Sequence, residues 1–212
     1  DFGGGGLYLA FGILAAVHER ARSGKGQVID AAMLDGAALL MTGVYGLRSA
    51  GWYENGRGMN RVDGGSHYYG SYQCADGEYI AIGSMEPQFY AALRELCGLD
   101  DPAFDSQHDE TAWPALKEKL AAVFRTKTRE EWSRILEGTA ACASPVLDFV
   151  DAPKHPHNQA RNLFFTLDGV EQPSPGPRFS RTELHLPDSV AQPGQHTAEV
   201  LAALEKSGSG WV

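Results

Sequence analysis

Tyr68-Tyr69-Gly70-Ser71-Tyr72-Gln73-Cys74-Ala75-Asp76-Gly77-Glu78-Tyr79-Ile80-Ala81-Ile82-Gly83-Ser84-Met85-Glu86-Pro87-Gln88-Phe89-Tyr90 is the stretch that decides the fold. Two runs rich in aromatic and β-branched residues, Tyr68–Cys74 and Glu78–Ser84, flank Ala75-Asp76-Gly77. An Asp-Gly step between such runs is a strong hairpin signal. Pro87 then stands where the first turn of a helix begins, a place where its missing N–H costs nothing. Phe89, Tyr90, Leu93 and Leu96 follow at helical spacing, and Gly98 supplies the stop.

Downstream, Trp113–Phe124 has the spacing of a helix, and Thr128-Arg129-Glu130-Glu131 is a capping box opening another. Leu93, Leu96, Leu116, Leu120, Phe124, Trp132 and Ile135 are the expected core. A strand is expected over Pro145–Phe149 and a short helix over His157–Leu163. Pro173–Arg178 forms a Pro-rich link, and Thr197–Leu204 a last short helix before a mobile Gly/Ser tail. Upstream, Leu7–Arg22 reads as a helix that is apolar all round in its first part and stops at Gly24. Gln27–Met33 reads as a short buried strand and Leu34–Arg48 as a second apolar helix ending near Gly51. Trp52–Ser66 is a Gly-rich linker or functional loop. These front helices carry more apolar surface than the chain provides partners for.

Composition narrows the function classes. The chain has 212 residues, with 27 acidic and 18 basic side chains and a net charge of −9. Without a basic tract, that balance argues against nucleic-acid or anionic-membrane binding. The apolar run Leu7–Val17 falls well short of the ~20 residues a membrane span needs. Cys74, Cys97 and Cys142 form no CxxC or metal-ligand cluster and read as buried reduced thiols of a cytosolic protein. His155 and His157, beside Pro153 and Pro156, suit a loop better than a metal site.

Three places are candidates for chemistry. Asp1-Phe2-Gly3-Gly4-Gly5-Gly6 opens a helix, where free N–H groups and close backbone approach suit a phosphate or a developing oxyanion. The competing reading makes Asp1 an N-cap and the glycines a means of close helix packing. Glu86 follows Ile82-Gly83-Ser84-Met85 at a strand-to-helix junction, where a carboxylate can tune a catalytic imidazole or merely cap the helix. The loop Arg57–Gly65, with Tyr68 and Tyr69 behind it, has polar groups suited to a pocket mouth, although Asp63-Gly64 also fits an ordinary turn. The residues alone therefore reach an α/β protein with two candidate carboxylates.

The string Ser23-Gly24-Lys25-Gly26-Gln27-Val28-Ile29-Asp30-Ala31-Ala32-Met33-Leu34-Asp35-Gly36 resembles a hallmark of the family III CoA-transferases of the CaiB/BaiF type. Matching stretches follow in order. They are Asp63-Gly64-Gly65 through Tyr68-Tyr69 to Met85-Glu86-Pro87-Gln88-Phe89-Tyr90, then Pro145-Val146-Leu147 with His155-Pro156-His157-Asn158 and Arg161, then Gly194-Gln195-His196-Thr197. Glu86-Pro87-Gln88-Phe89-Tyr90 is similar to the α-methylacyl-CoA racemase branch.

The resemblance implies a large Rossmann-like domain built from residues 1–61 and 173–212, a small α+β domain with a β-hairpin over 62–172, and an interlocked homodimer. It also implies an enzyme of fatty-acid metabolism in the cytoplasm that racemises 2-methylacyl-CoA thioesters, with CoA as part of the substrate and no separate cofactor or metal. Asp1 and Glu86 fall on catalytic positions, and Gly3, Gly4, Tyr69 and Met85 on substrate-contacting ones. A catalytic His, and most basic residues that hold CoA, lie upstream of the Asp in the family, so the chain is expected to be an N-terminally truncated part of a longer enzyme. The alternatives are a CoA-transferase acting through an aspartyl anhydride and an inactive truncated fragment.

Overall fold

β1 (Tyr69–Gln73) and β2 (Tyr79–Gly83) pair antiparallel, with Tyr69 opposite Gly83 and Tyr72 opposite Ile80 in the computed structural model, which describes residues 1–207. The Gly/Ser tail read from the sequence falls on 208–212, outside the described residues. Gly77 turns the hairpin with φ +86°, a conformation that favours glycine. Side chains alternate across the pleat, so Tyr72, Ile80 and Ile82 share the buried face. β3 (Ala143–Val146) adds on the far side of β2 and sets Pro145 opposite Ile80. A proline without an N–H is tolerated there because β3 is an edge strand. The strand expected over Pro145–Phe149 thus begins earlier and ends at Val146, leaving Phe149 exposed.

Three helices cover the buried face. α4 (Pro87–Cys97) begins on Pro87, ends on Gly98 in the left-handed region, and buries Tyr90, Leu93 and Cys97. α5 (Trp113–Phe124) buries Trp113, Leu116, Leu120 and Phe124. α6 (Arg129–Leu136) opens with the predicted capping box, in which Thr128 accepts from Glu131 N and Glu131 accepts from Thr128 N. Phe124 stacks on Tyr72 and meets Trp132 edge-on, both at 5.2 Å between centroids, and Trp132 Nε1 donates to Phe124 O at 2.9 Å. Such aromatic pairs contribute ~0.5–1.5 kcal/mol beyond the area they bury. Leu96 and Ile135 pack at the edge of this core, and the other expected core residues lie inside it.

The front of the chain behaves differently. A π-helical turn (Phe2–Leu7) runs into α1 (Tyr8–Ser23), which Gly24 closes in the left-handed conformation. Gln27–Met33 is not a strand. A strand exists only with hydrogen-bonded neighbours, no described strand pairs with this segment, and Val28 is 96 % exposed. The single helix expected over Leu34–Arg48 is two, α2 (Met33–Leu40) and α3 (Thr42–Ser49), separated at Met41. The Thr42 hydroxyl donates to Leu39 O at this break, a local bond that competes with the helix ladder. Leu7, Phe11, Leu14, Leu34, Leu40 and Trp52 all stand exposed, as the surplus of apolar surface predicted.

The chain divides into two compact units, Asp1–Val146 and Leu147–Val212. In the second, α7 (Pro156–Ala160) overlaps the expected short helix but begins one residue earlier and ends three residues sooner. β4 (Phe164–Leu167) and β5 (Val170–Pro173) form a hairpin absent from the sequence reading. Asp168-Gly169 turns it, both residues with positive φ, so the Asp-Gly signal that located β1–β2 was present here too. α8 (Thr197–Ser207) follows. Cys74 and Cys97 are buried free thiols, whereas Cys142, held at φ +50° before β3, is exposed rather than buried. Overall the chain is a mixed α/β protein with small sheets.

Candidate functional site

The six expected site residues fall into two clusters. Asp1, Gly3 and Gly4 belong to the π-helical turn. Asp1 stands at the N-cap position, but its side chain makes no capping bond; its backbone carbonyl accepts from Gly5 N at 3.1 Å and Gly6 N at 2.8 Å. Gly4 is buried against α2. A Cβ there would stand 2.9 Å from Ala37 N, and one on Gly36 would overlap the Gly4 carbonyl. Gly4 therefore serves close packing, the role one sequence reading gives the whole run. Gly3, in contrast, has open space around it. As a first-turn residue its N–H also lacks an intrahelical acceptor.

Tyr69, Met85 and Glu86 form the second cluster, at one end of the β1–β2 hairpin. A Cβ on Gly83 would touch the Tyr69 ring at 3.4 Å, so the ring lies across that glycine, two residues before Met85. Glu86 is the N-cap of α4 with extended backbone, φ −74° and ψ 146°, yet its carboxylate also makes no capping bond. It is exposed to solvent. None of the hydrogen bonds and close contacts described for these residues links Asp1 to Glu86.

Several polar residues that the sequence did not single out shape the second cluster. Ser84, fully buried, donates its N–H to Tyr68 O at 3.0 Å and its hydroxyl to Ala141 O at 2.6 Å. Gln107 Nε2 donates to Met85 O at 2.9 Å and to Ser84 O at 3.3 Å, while Gln107 O accepts from Trp113 Nε1 at 2.9 Å. Gln107 sat unnoticed in the polar stretch Asp105–Asp109, where no periodicity marks an inward side chain. His67 is fully buried and its Nε2 lies 2.7 Å from the Tyr90 hydroxyl. Because Tyr90 donates its own proton to Phe104 O, Nε2 is the protonated nitrogen. Nδ1 and the Tyr68 hydroxyl are left buried without a hydrogen-bond partner among the described residues. Burial, and then repulsion from His108, push the His67 pKa down to about 4, so the ring is neutral at pH 7.

The loop proposed for a pocket mouth is instead closed on itself. Asn60 Nδ2 donates to Asp63 Oδ2 at 2.8 Å and to Glu54 O at 3.0 Å, and Asn60 Oδ1 accepts from Glu54 N. Asp63 Oδ1 accepts from the N–H groups of Asn60 and Gly65. Desolvation raises the Asp63 pKa, but these bonds to the charged form outweigh it and hold the carboxyl below its usual range. Among the described residues, no group of three or more His, Cys, Asp or Glu side chains is placed to hold a metal ion. No described helix is long and apolar enough to cross a membrane. Two shallow concavities, one lined by Gln192–Leu201 residues including His196 and Thr197, the other by His18, Glu19, Arg22 and Ser23, include neither Asp1 nor Glu86.

Comparison with known proteins supplies what geometry does not. A profile described as CoA-transferase family III matches residues 1–197. Alpha-methylacyl-CoA racemase of Mus musculus is 46 % identical over 205 residues, 95 % of this chain and 53 % of that protein. The Homo sapiens protein of the same name is 42 % identical over 204 residues, with the same coverage of both chains. The chain thus spans about half the length of the curated relatives it matches. The fold is that of a CAIB/BAIF family protein from Brucella suis, with a TM-score of 0.66 at 23 % identity over 95 % of this chain and 54 % of that one.

Proposed function

Because the chain belongs to CoA-transferase family III, we propose that it is part of an enzyme that inverts the α-carbon of 2-methylacyl-CoA thioesters. The observation that carries this reading is the 46 % and 42 % identity to two racemases across 95 % of the chain. Inversion requires a proton to leave one face of the α-carbon and another to arrive on the opposite face, so two acid/base groups must flank it. In this reading the Asp1 carboxylate takes the α-proton on one face. A His–Glu pair that includes Glu86 returns one to the other, and the reverse direction exchanges the roles. The enolate oxygen between the two steps is met by N–H donors, for which the open Gly3 turn is the best placed in this chain. Tyr69 and Met85, beside Glu86, border the acyl chain.

In the whole protein we assign residues 62–172 to the small domain, and 1–61 with 173–212 to a Rossmann-like large domain. In an interlocked homodimer Asp1 of one subunit faces Glu86 of the partner subunit. The exposed apolar faces of α1 to α3 support such an assembly. CoA enters as part of the substrate, with no further cofactor. A net charge of −9 supports the absence of nucleic-acid and membrane partners, in keeping with a cytoplasmic enzyme of fatty-acid metabolism.

The test is deuterium uptake at the α-carbon from D₂O, measured on the whole protein with each enantiomer separately. Asp1→Asn should suppress exchange from one face. Normal exchange of both enantiomers by that variant rejects the proposal. The family description itself favours a second reading, CoA transfer. There an Asp1 oxygen attacks the thioester carbonyl, the CoA thiolate leaves, and a mixed anhydride forms. Hydroxylamine would trap that anhydride as a hydroxamate, whereas racemisation leaves nothing to trap.

A further inference from the structure

Glu86 has an exposed carboxylate with no hydrogen-bond partner among the described residues, so its position depends on the main chain that carries it. On its C-terminal side that chain is fixed by Pro87 and the first turn of α4, whose N–H groups at Phe89 and Tyr90 bond to Glu86 O at 3.0 and 2.9 Å. On its N-terminal side lie Ser84 and Met85, beyond the end of β2. Their two carbonyls have left the strand ladder, and both accept from one side-chain nitrogen, Gln107 Nε2. That nitrogen has two hydrogens and uses both here. Gln107 is itself held from behind, because Trp113, the first residue of α5 and 97 % buried, donates its indole N–H to Gln107 O.

We propose that Gln107 is a positioning residue for Glu86. Its amide ties two consecutive carbonyls of the junction to the start of α5 and so fixes where the carboxylate projects. The inference rests on the reading of Glu86 as an acid/base group for one face of the substrate. It adds a consequence that a purely structural role lacks. A change at Gln107 weakens proton exchange on the face that Glu86 serves and spares the face that Asp1 serves.

The experiment measures deuterium uptake into the (2R)- and (2S)-2-methylacyl-CoA substrate by the whole protein, in the same preparation. The readout is the ratio of the two rates, which does not depend on the fraction of folded enzyme. Gln107→Met keeps the side chain's length and removes both donors. It should shift the ratio about tenfold in the same direction as Glu86→Gln, since small misplacements of a reacting group cost up to ~100-fold in rate. Gln107→Asn keeps the amide on a shorter arm and should shift the ratio the same way, providing a second variant if the first is not obtained folded. A ratio unchanged in both Gln107 variants, while Glu86→Gln shifts it, overturns the positioning role and leaves the racemase reading standing. A shift in the opposite direction also overturns it. An unchanged ratio in Glu86→Gln overturns both.

Discussion

Gly36 and Gly46 both sit in short front helices, and the structure predicts opposite outcomes for the same substitution. In α2 a Cβ on Gly36 would stand 2.9 Å from Gly4 Cα and overlap the Gly4 carbonyl. Neither side of that contact has a flexible end, so α2 and the π-helical turn must separate. Overpacking of this kind costs ~1–3 kcal/mol, and with backbone on both sides the upper figure applies. Alanine in a helix interior returns ~1 kcal/mol relative to glycine, so Gly36→Ala should lose about 2 kcal/mol net. In α3 nothing lies within 4 Å of a Cβ on Gly46 and its φ is not positive, so Gly46→Ala should gain about 1 kcal/mol. At ~2–4 °C per kcal/mol, thermal unfolding followed by far-UV circular dichroism should show Gly36→Ala melting roughly 4–8 °C lower and Gly46→Ala a few degrees higher. A Gly36→Ala protein that melts at or above the wild-type temperature would refute the close crossing of Gly4 and Gly36. It would also remove the reason for assigning Gly4 to packing.

Two further outcomes follow from buried groups. His67 has a native pKa of about 4 against an unfolded value near 6.5, so below pH 6.5 the unfolded chain takes a proton that the native state refuses. Stability should fall by ~1.4 kcal/mol per pH unit between 6.5 and 4, about 3.5 kcal/mol in all, with no contribution above 6.5. Urea midpoints measured across that range should show this slope in the wild type and a flatter one in His67→Gln; equal slopes would exclude His67 as its source. Among the thiols, burial raises the Cys74 pKa and pushes Cys97 up to about 12, while Cys142 is exposed. A chromogenic disulfide reagent at pH 8 should therefore react at once with Cys142 alone, and with all three thiols after denaturation.

The hairpin module was legible because its signals are local and mutually consistent. Asp76-Gly77 fixes the turn, Pro87 and Gly98 bracket α4, and Thr128 with Glu131 opens α6. Each constraint acts within a few residues, and the buried faces they define meet one another in one core. Gln27–Met33 was misread because an apolar, β-branched run carries strand propensity whether or not a neighbouring strand exists. The break at Met41 escaped because it is a local change of backbone, with Met41 at φ −86° and ψ 3° and the Thr42 hydroxyl bonded to Leu39 O, which periodicity does not register. Gln107 and His67 escaped for a related reason. Their importance lies in partners 22 and 23 residues away, Met85 and Tyr90, and pattern reading along the chain does not see such distances.

Capping offered the simplest account of both candidate carboxylates, and the same chain displays what capping looks like. Thr128 accepts from Glu131 N within its box, and Asp101 accepts from Ala103 N at 2.9 Å as it caps a short 3₁₀ turn. The Asp101 carboxyl is held below its usual pKa by its bonds to Lys119 and Ala103 N. A carboxylate used in this way is committed to its donors and is a poorer proton acceptor for it. Asp1 and Glu86 each occupy an N-cap position and make no such bond. Their side chains are left without such a bond, while the Asp1 carbonyl accepts from Gly5 N and Gly6 N and the carbonyls of Ser84 and Met85, just before Glu86, accept from Gln107 Nε2. A fixed backbone beneath an uncommitted carboxylate is what proton transfer at a substrate carbon requires. Helix capping would produce the reverse, a committed carboxylate, so side-chain capping, the structural role their sequence context first suggested, is not what these two residues do.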